Sequence, residues 1–374
     1  MIALNLNEML IYADFQHINN IVDHYHCQCD RHSKTDMVQA ILFKLLRKDT
    51  LREIILQADR EDLTFIQLLY LDSRTKYTIE DLLAKAKQAL DLHQMDRKPR
   101  ELVLSGLKKG WIFQGVGKKN ALVYLVPEDF KNRILETIHQ KAKEELNRAD
   151  DVPFYRDETD LILSDLHIFL SYVKNEEILL TSEGNIYKRQ QQLLFRLLHI
   201  KEEIIKKQAW RFGYGRRYNE YPDRFSLIYD YAYYFKLTEE SANGYLQLTS
   251  NGEKWLHEIS PSKEKMNLYR FWLRLYKYPI SFLPLIVKYI DLVAYKEWVQ
   301  LDQLERKLMF WIKEHYYETT EIVFQERIIK MLHHLGVLKI GNIEHNVYIR
   351  VTDEGHHWIN GIEGFHVKEI NITK

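Results

Sequence analysis

The sequence predicts a mainly α-helical protein with small β-hairpins, an α+β chain in which one supersecondary unit recurs in tandem. Three observations predict it. Residues 245–256 and 348–359 read almost alike: an alternating apolar run, then Thr-x-x-Gly (Thr249 to Gly252, Thr352 to Gly355), then a helix start carrying Trp255 or Trp358. Internal similarity of this kind, here at an offset of 103 residues, means that the same unit was built at least twice. Apolar residues recur at spacings of three and four through most of the rest, which is helical. Short alternating runs bracketed by Gly and Asn supply the hairpins.

Composition sets the bounds. A chain of 374 residues has room for two or three cores, and 46% hydrophobic with 28% charged residues is ordinary for a globular protein. Only 14 Gly and 7 Pro argue against long structureless linkers. Lys+Arg and Asp+Glu balance at 53 each, so any nucleic-acid surface must come from local charge segregation. The first residues lack a basic segment followed by an apolar core, so no signal peptide is expected. The most apolar window, 278–298, contains Pro279, Pro284, Lys288, Asp291 and Lys296 and predicts a buried helix pair, with no membrane contact. Cys27 and Cys29 are too close for an ordinary structural disulfide, which makes a reducing cytoplasm the expected location.

In chain order, residues 1–90 predict helices, with 7–25 and 34–47 amphipathic and Thr78-Ile79-Glu80-Asp81 capping a helix to about Leu92. A helix then begins at Pro99-Arg100-Glu101 and ends at Gly110. Residues 111–113 predict a strand, 115–120 a turn and 121–126 the return strand. Residues 129–150 predict a linker helix with Phe130, Ile134, Ile138 and Ala142 on one face and Asp129 paired to Arg133. A second copy has a helix at 225–234, a strand at 235–237, a turn at 239–244 and a strand at 245–248. In the third, Thr319 or Thr320 caps a helix through Ile328, Ile329, Leu332 and Leu335, and Gly336 is its left-handed stop. Residues 337–340 and 347–351 are its strands, with a turn over 341–346. Punctuation at 149–153 and 259–262 divides the chain into 1–150, 151–260 and 261–374.

A helix followed by a twisted hairpin is the second half of a winged helix-turn-helix, with the helix as recognition helix and the hairpin as wing. The sequence thus predicts three winged-helix-like modules in series; the alternative is a generic helix-plus-hairpin unit. At residues 178–189 an apolar strand, Leu180-Thr181-Ser182-Glu183-Gly184 and a short basic segment, Lys188-Arg189, lead into a helix. With the second strand, Thr-x-x-Gly and Trp helix of 245–256, this resembles the helicase-associated module of XPB-type helicases and of stand-alone prokaryotic proteins. The resemblance covers about 150–260. No Gly-x-x-x-x-Gly-Lys-Ser/Thr phosphate loop exists in the chain, so the resemblance implies the associated module without the ATPase motor. It implies an accessory or regulatory role, with DNA or a helicase or other DNA-processing protein as partner, and brings no catalytic residue with it.

Two basic patches are the candidate nucleic-acid contacts. Lys98, Arg100, Lys108 and Lys109, with Arg97 and the wing residues Lys118 and Lys119, bracket the first recognition helix, where phosphates would lie. Lys206, Lys207, Trp210, Arg211, Phe212, Tyr214, Arg216 and Arg217 form an acid-free run of cations and rings suited to single strands. Lys188 and Arg189 join them through the resemblance. Each patch could equally be a solvated or packed surface. His24, His26, Cys27, Cys29 and His32 are sufficient in number for zinc but poorly spaced, and a turn between helices is the simpler reading. Trp255 and Trp358 read as packing anchors, and His333-His334 and His356-His357 as surface or satisfied histidines. No nucleophile–base constellation is evident, and no metal or cofactor is expected. The expected function is a non-enzymatic DNA-binding accessory protein. A protein-interaction scaffold is the alternative, and a metal-dependent nuclease of scattered acids a third reading.

Overall fold

A computed structural model describes residues 5–116, 122–205, 215–314 and 318–361. It is mostly helical with three small antiparallel sheets. Among the described residues no helix is long and apolar enough to cross a membrane. The chain divides into two compact units, the first ending at Leu146 and the second running Asn147–Ile359.

The first unit opens with α1 (Leu6–Tyr12), α2 (Phe15–His24), α3 (Lys34–Leu45) and α4 (Lys48–Gln57). The single helix predicted over 7–25 is two. Ala13 is extended, and the Asp14 carboxylate accepts the His17 N–H at 2.7 Å, capping a new helix. Then come α5 (Arg60–Tyr70), β1 (Lys76–Tyr77), α6 (Ile79–His93), α7 (Pro99–Lys108), β2 (Phe113–Val116), β3 (Leu122–Leu125) and α8 (Glu128–Glu145). Thr78 and Asp81 close the predicted capping box at α6. The expected Asp129–Arg133 pair does not form: Asp129 accepts the Leu6 N–H and Arg133 donates to the Leu46 carbonyl.

The second unit begins with β4 (Arg148–Ala149) and β5 (Tyr155–Arg156). These residues, expected to close the linker helix, instead form the two edges of a five-stranded sheet. Next follow α9 (Leu161–Asn175), β6 (Ile178–Leu179), α10 (Lys188–Leu197), α11 (Asp223–Tyr234), β7 (Thr238–Glu240), β8 (Tyr245–Leu248) and α12 (Ser250–His257). After them come α13 (Pro261–Tyr276), α14 (Leu283–Ala294), β9 (Trp298–Gln300) and α15 (Leu301–Leu308). The window predicted as a helix pair therefore holds one helix and a strand. A helix over 320–334 comprises α16 (Thr320–Ile322), a π-helical stretch (Val323–Ile329) and α17 (Lys330–His334). The unit closes with β10 (Leu338–Ile343), β11 (Asn346–Val351) and α18 (Asp353–Gly361). Gly341, expected in a turn, lies inside β10, where a Cβ would press on the Phe154 carbonyl at 2.8 Å; its absence lets β5 pair there. Residues on both sides of 259–262 belong to this one unit.

One order of elements occurs three times: helix, strand, helix, helix, strand, strand. It is α5-β1-α6-α7-β2-β3, then α9-β6-α10-α11-β7-β8, then α14-β9-α15-(320–334)-β10-β11. In each, the first strand pairs antiparallel with the last, and the last with the middle one.

The third helix of each repeat stops in the same way. Trp111, Leu237 and Val337 donate their N–H to the carbonyls five residues back, Gly106, Ala232 and Leu332, at 2.8–2.9 Å. The residues before them, Gly110, Lys236 and Gly336, have positive φ of 65°, 54° and 74°. This is the Schellman stop, and it offsets carbonyls that the helix leaves unpaired. In the middle repeat Phe235 and Lys236 form the stop, so the strand starts at Thr238 and not at the predicted 235. The repeated Thr-x-x-Gly is likewise one device. Thr249 and Thr352 donate N–H to Leu237 and Val337, and their hydroxyls cap Gly252 and Gly355. A Cβ on Gly252 or Gly355 would meet those same carbonyls at 2.2 and 2.7 Å.

Within the second unit, α11 packs against α9, α13 and α17. Arg327 donates to Asp223 at 2.7 Å and to Glu318. Arg224 and Asp165, both fully buried, pair at 2.5 Å. Glu158, also fully buried, accepts from His334 at 2.7 Å. Asp230 on α11 is buried; one carboxylate oxygen accepts the Arg216 N–H at 2.9 Å and the other has no partner among the described residues. Burial raises its pKa to about 7.

Lys236→Gly relieves left-handed strain and should stabilise the second unit by about 0.5–1 kcal/mol. Gly336→Ala, whose Cβ would meet the Thr159 Cα at 2.5 Å, should destabilise it by more. Urea midpoints measure both, and a destabilised Lys236→Gly protein would contradict the shared stop. The Asp230 contribution is complete below about pH 4, the unfolded value, and is lost as pH rises through about 7. Relative to wild type, Asp230→Asn should therefore gain roughly 1–3 kcal/mol between acidic and mildly alkaline pH. Parallel melting-temperature profiles for the two proteins would refute this.

Candidate nucleic-acid interface

The first unit positions the cations of α7. Leu102, Val103 and Gly106 are its buried side, and Pro99 starts it at a position where a missing N–H costs nothing. The opposite side carries Lys98, Arg100, Leu104 and Lys108, all exposed. Arg100, Leu104 and Lys108 are four residues apart, so they form one row along the helix. None of Lys98, Arg100 and Lys108 has an ion-pair partner among the described residues. The only acid nearby on α7 is Glu101, 3.9 Å from Arg97.

Two predicted contacts of this patch are turned inward. Lys109 is bound to the buried Asp62, and its ammonium lies 4.6 Å from the centre of the Trp111 ring. Arg97 sits between Glu61, at 3.6 Å, and Asp62, at 3.9 Å. The wing residues Lys118 and Lys119 lie outside the described residues, as do Lys206, Lys207, Trp210, Arg211, Phe212 and Tyr214.

The remaining members of the second patch are engaged by an acid. Arg216 and Arg217 are not offered to a phosphate, because both grip Glu240, at 2.6 and 3.0 Å. Arg216 also stacks 3.9 Å over the Tyr233 ring, and Arg217 donates to the Glu183 carbonyl at 2.7 Å. Burial opposes ionisation of Glu240, yet the hydrogen bonds from these two arginines outweigh it and lower its pKa. The pair fastens the stretch around residue 216 to β7. Lys188 and Arg189, by contrast, are exposed at the start of α10.

The three repeats differ where the third helix faces. In α11 every residue from Arg224 to Ala232 is buried. In 320–334, Val323, Phe324, Arg327, Ile328, Ile329 and 331–334 are buried. Of the three, only α7 presents an unpaired cationic row to solvent; in 320–334 the part-exposed Lys330 pairs with Glu326 at 2.7 Å. Sequence reading missed Leu104 as part of that row, although its four-residue spacing from Arg100 and Lys108 carries the signal.

The other candidates resolve as structural groups. Both are buried: His333 bonds through Nδ1 to the Leu338 carbonyl at 2.9 Å and His334 donates through Nδ1 to Glu158, while neither Nε2 has a hydrogen-bond partner among the described residues. His356 donates to the Asp291 carboxylate and stacks on Tyr295 with centroids 3.6 Å apart, while His357 is exposed. Trp358 is buried and Trp255 half-buried. Cys27 and Cys29 are free thiols. Among the described residues no three His, Cys, Asp or Glu side chains converge as metal donors. His24, His26, Lys44, Glu53, Asp59 and Lys109 are among the residues that line a cavity of about 440 Å³ in the first unit. Its walls carry both charge signs and select no ligand class.

No protein-family model, curated protein or solved structure matches the chain.

Proposed function

We propose that the three repeats are winged helix-turn-helix modules and that the chain is a non-enzymatic nucleic-acid-binding accessory protein whose first module makes the duplex contact. The observation that carries this reading is the exposed, unpaired row on α7. A recognition helix must bring cations and short apolar groups to a groove. Arg100 and Lys108 supply charge at the two ends of the row. Leu104 supplies an apolar group between them, of the sort that meets a thymine methyl, and Lys98 reaches toward phosphate before the helix begins. The repeated order of elements and strand pairing supports the module assignment.

The same comparison assigns the other modules a different task. Their third helices offer no unpaired cationic row: α11 is buried from Arg224 to Ala232, and in 320–334 Arg327 and Lys330 are paired with acids. Their use is packing. The likeness to the helicase-associated module fits this division: β6, the Leu-Thr-x-x-Gly turn, the basic start of α10, β8 and the Thr-capped α12 follow one another in the order that it implies. An accessory role beside a DNA-processing enzyme is therefore the reading we adopt, and the protein-docking scaffold is its rival.

Anisotropy titration of labelled duplex DNA across a salt series separates them. Phosphate binding must weaken linearly in log salt, by about 0.9 per neutralised phosphate. Arg100→Glu with Lys108→Glu, both surface changes, should weaken duplex binding roughly tenfold or more and lower that slope by about 2. Equal affinity and slope in the variant would remove α7 from the interface.

A further inference from the structure

The outer face of α10 is built from cations, apolar side chains and a glutamine, and the helix itself carries no acid. Tyr187, Lys188, Arg189, Gln192, Leu193, Arg196 and Leu197 are all exposed, whereas Gln191, Leu194 and Phe195 face the core. From Gly184 to Lys201 there are four cations and no Asp or Glu. Lys201 is engaged by the carbonyls of Arg196 and Leu198. Lys188, Arg189 and Arg196 have no ion-pair partner among the described residues. That sets them apart from Arg74, Lys85, Arg148, Arg224 and Arg327, which are held by carboxylates.

Helix stability does not account for this arrangement. The first turn of a helix favours acids, and here it carries Lys188 and Arg189, no acid and no side-chain cap. Two rows run along the exposed face at four-residue spacing. One is Lys188, Gln192 and Arg196; the other is Arg189, Leu193 and Leu197. Tyr187 and the two leucines are each about half exposed, at 47%, 47% and 54%. Lys188 and Arg196 are roughly 12 Å apart along the axis at the 1.5 Å rise.

We propose that this face is a single-strand nucleic-acid site, separate from the duplex contact on α7. It rests on the nucleic-acid reading above only for the class of ligand. A single strand offers phosphates to the cationic row and unstacked bases to Tyr187, Leu193 and Leu197. A duplex has its bases sealed inside, so it would press the leucines against phosphate and leave them without an apolar partner. The face lies along one exposed side of α10. It is reached by a flexible strand more readily than by a second rigid rod.

The test uses the full chain and short oligo-dT, read by anisotropy, in a background already carrying Arg100→Glu and Lys108→Glu. Oligo-dT should still bind. Lys188→Ala, Arg189→Ala and Arg196→Ala together should weaken it at least tenfold and lower the salt slope by about 2, at about 0.7 per contact for single strands. Leu193→Gln with Leu197→Gln should weaken binding at unchanged slope, since it removes base contact and no charge. All five side chains are exposed, and unchanged circular dichroism checks that the variants fold. Loss of oligo-dT binding in the α7 background alone overturns the α10 site and leaves the α7 reading standing. Persistent oligo-dT binding that falls with the α10 changes, beside duplex binding indifferent to the α7 changes, does the reverse. Equal competition by a blunt duplex overturns the single-strand assignment. Binding of a Glu-rich amphipathic peptide to this face, without oligo-dT, overturns it in favour of protein docking.

Discussion

Arg327 carries the constraint on which the second unit depends. It projects from the helix 320–334 to Asp223, the first residue of α11, and to Glu318. Burial works against its charge, and the two carboxylates outweigh that effect and raise its pKa. Breaking such a pair leaves an uncompensated buried charge at a cost of about 3–5 kcal/mol. The third helices of the second and third repeats are thereby held to one another. Asp165 with Arg224, and Glu158 with His333 and His334, fix the same region from α9 and from the chain that precedes it. Much of the third helix of each of these two repeats is thereby buried, whereas α7 of the first repeat keeps an exposed side.

The local rules of the repeat were legible in the sequence because they are local. Gly110 marked a helix end, Gly336 a left-handed stop and the repeated Thr-x-x-Gly a helix start, since each acts on residues a few positions away. The middle stop was harder to see. Lys236 has a side chain that left-handed backbone disfavours, and only its hydrogen bonds, matched to those of the other two repeats, identify it. Missing it moved the predicted strand three residues too early. Asp14 shows the opposite failure: its capping role was readable, but the apolar spacing on either side ran through it and suggested one helix.

What the sequence could not express was pairing at long range. The run Arg216-Arg217 looks like a phosphate contact when read by itself. Glu240, 23 residues beyond Arg217, closes that possibility. Lys109 is withdrawn by Asp62, 47 residues before it. Residues 148–156 read as the end of a linker, yet they add an edge strand to each side of a sheet whose core strands lie near residues 299 and 340. Each error has the same origin: partners were chosen by fold and not by proximity in the chain.

Charge neutrality takes on a definite meaning in this light. Equal numbers of acids and bases would silence a surface if they were mixed evenly, and long-range steering is indeed weak for a neutral chain. Here many cations are drawn inward to carboxylates such as Asp62, Asp72, Asp165, Glu240 and Glu318. Their removal from the surface is selective. It leaves α7 and α10 with unpaired cations beside exposed leucines, because the first turn of α10 carries no acid and Glu101 of α7 is directed to Arg97. A protein of zero net charge can therefore engage an anionic polymer at separate places, and contact of that kind would be short-ranged and strongly dependent on salt. Local segregation, set by which carboxylates the fold buries, would determine where such contact is made.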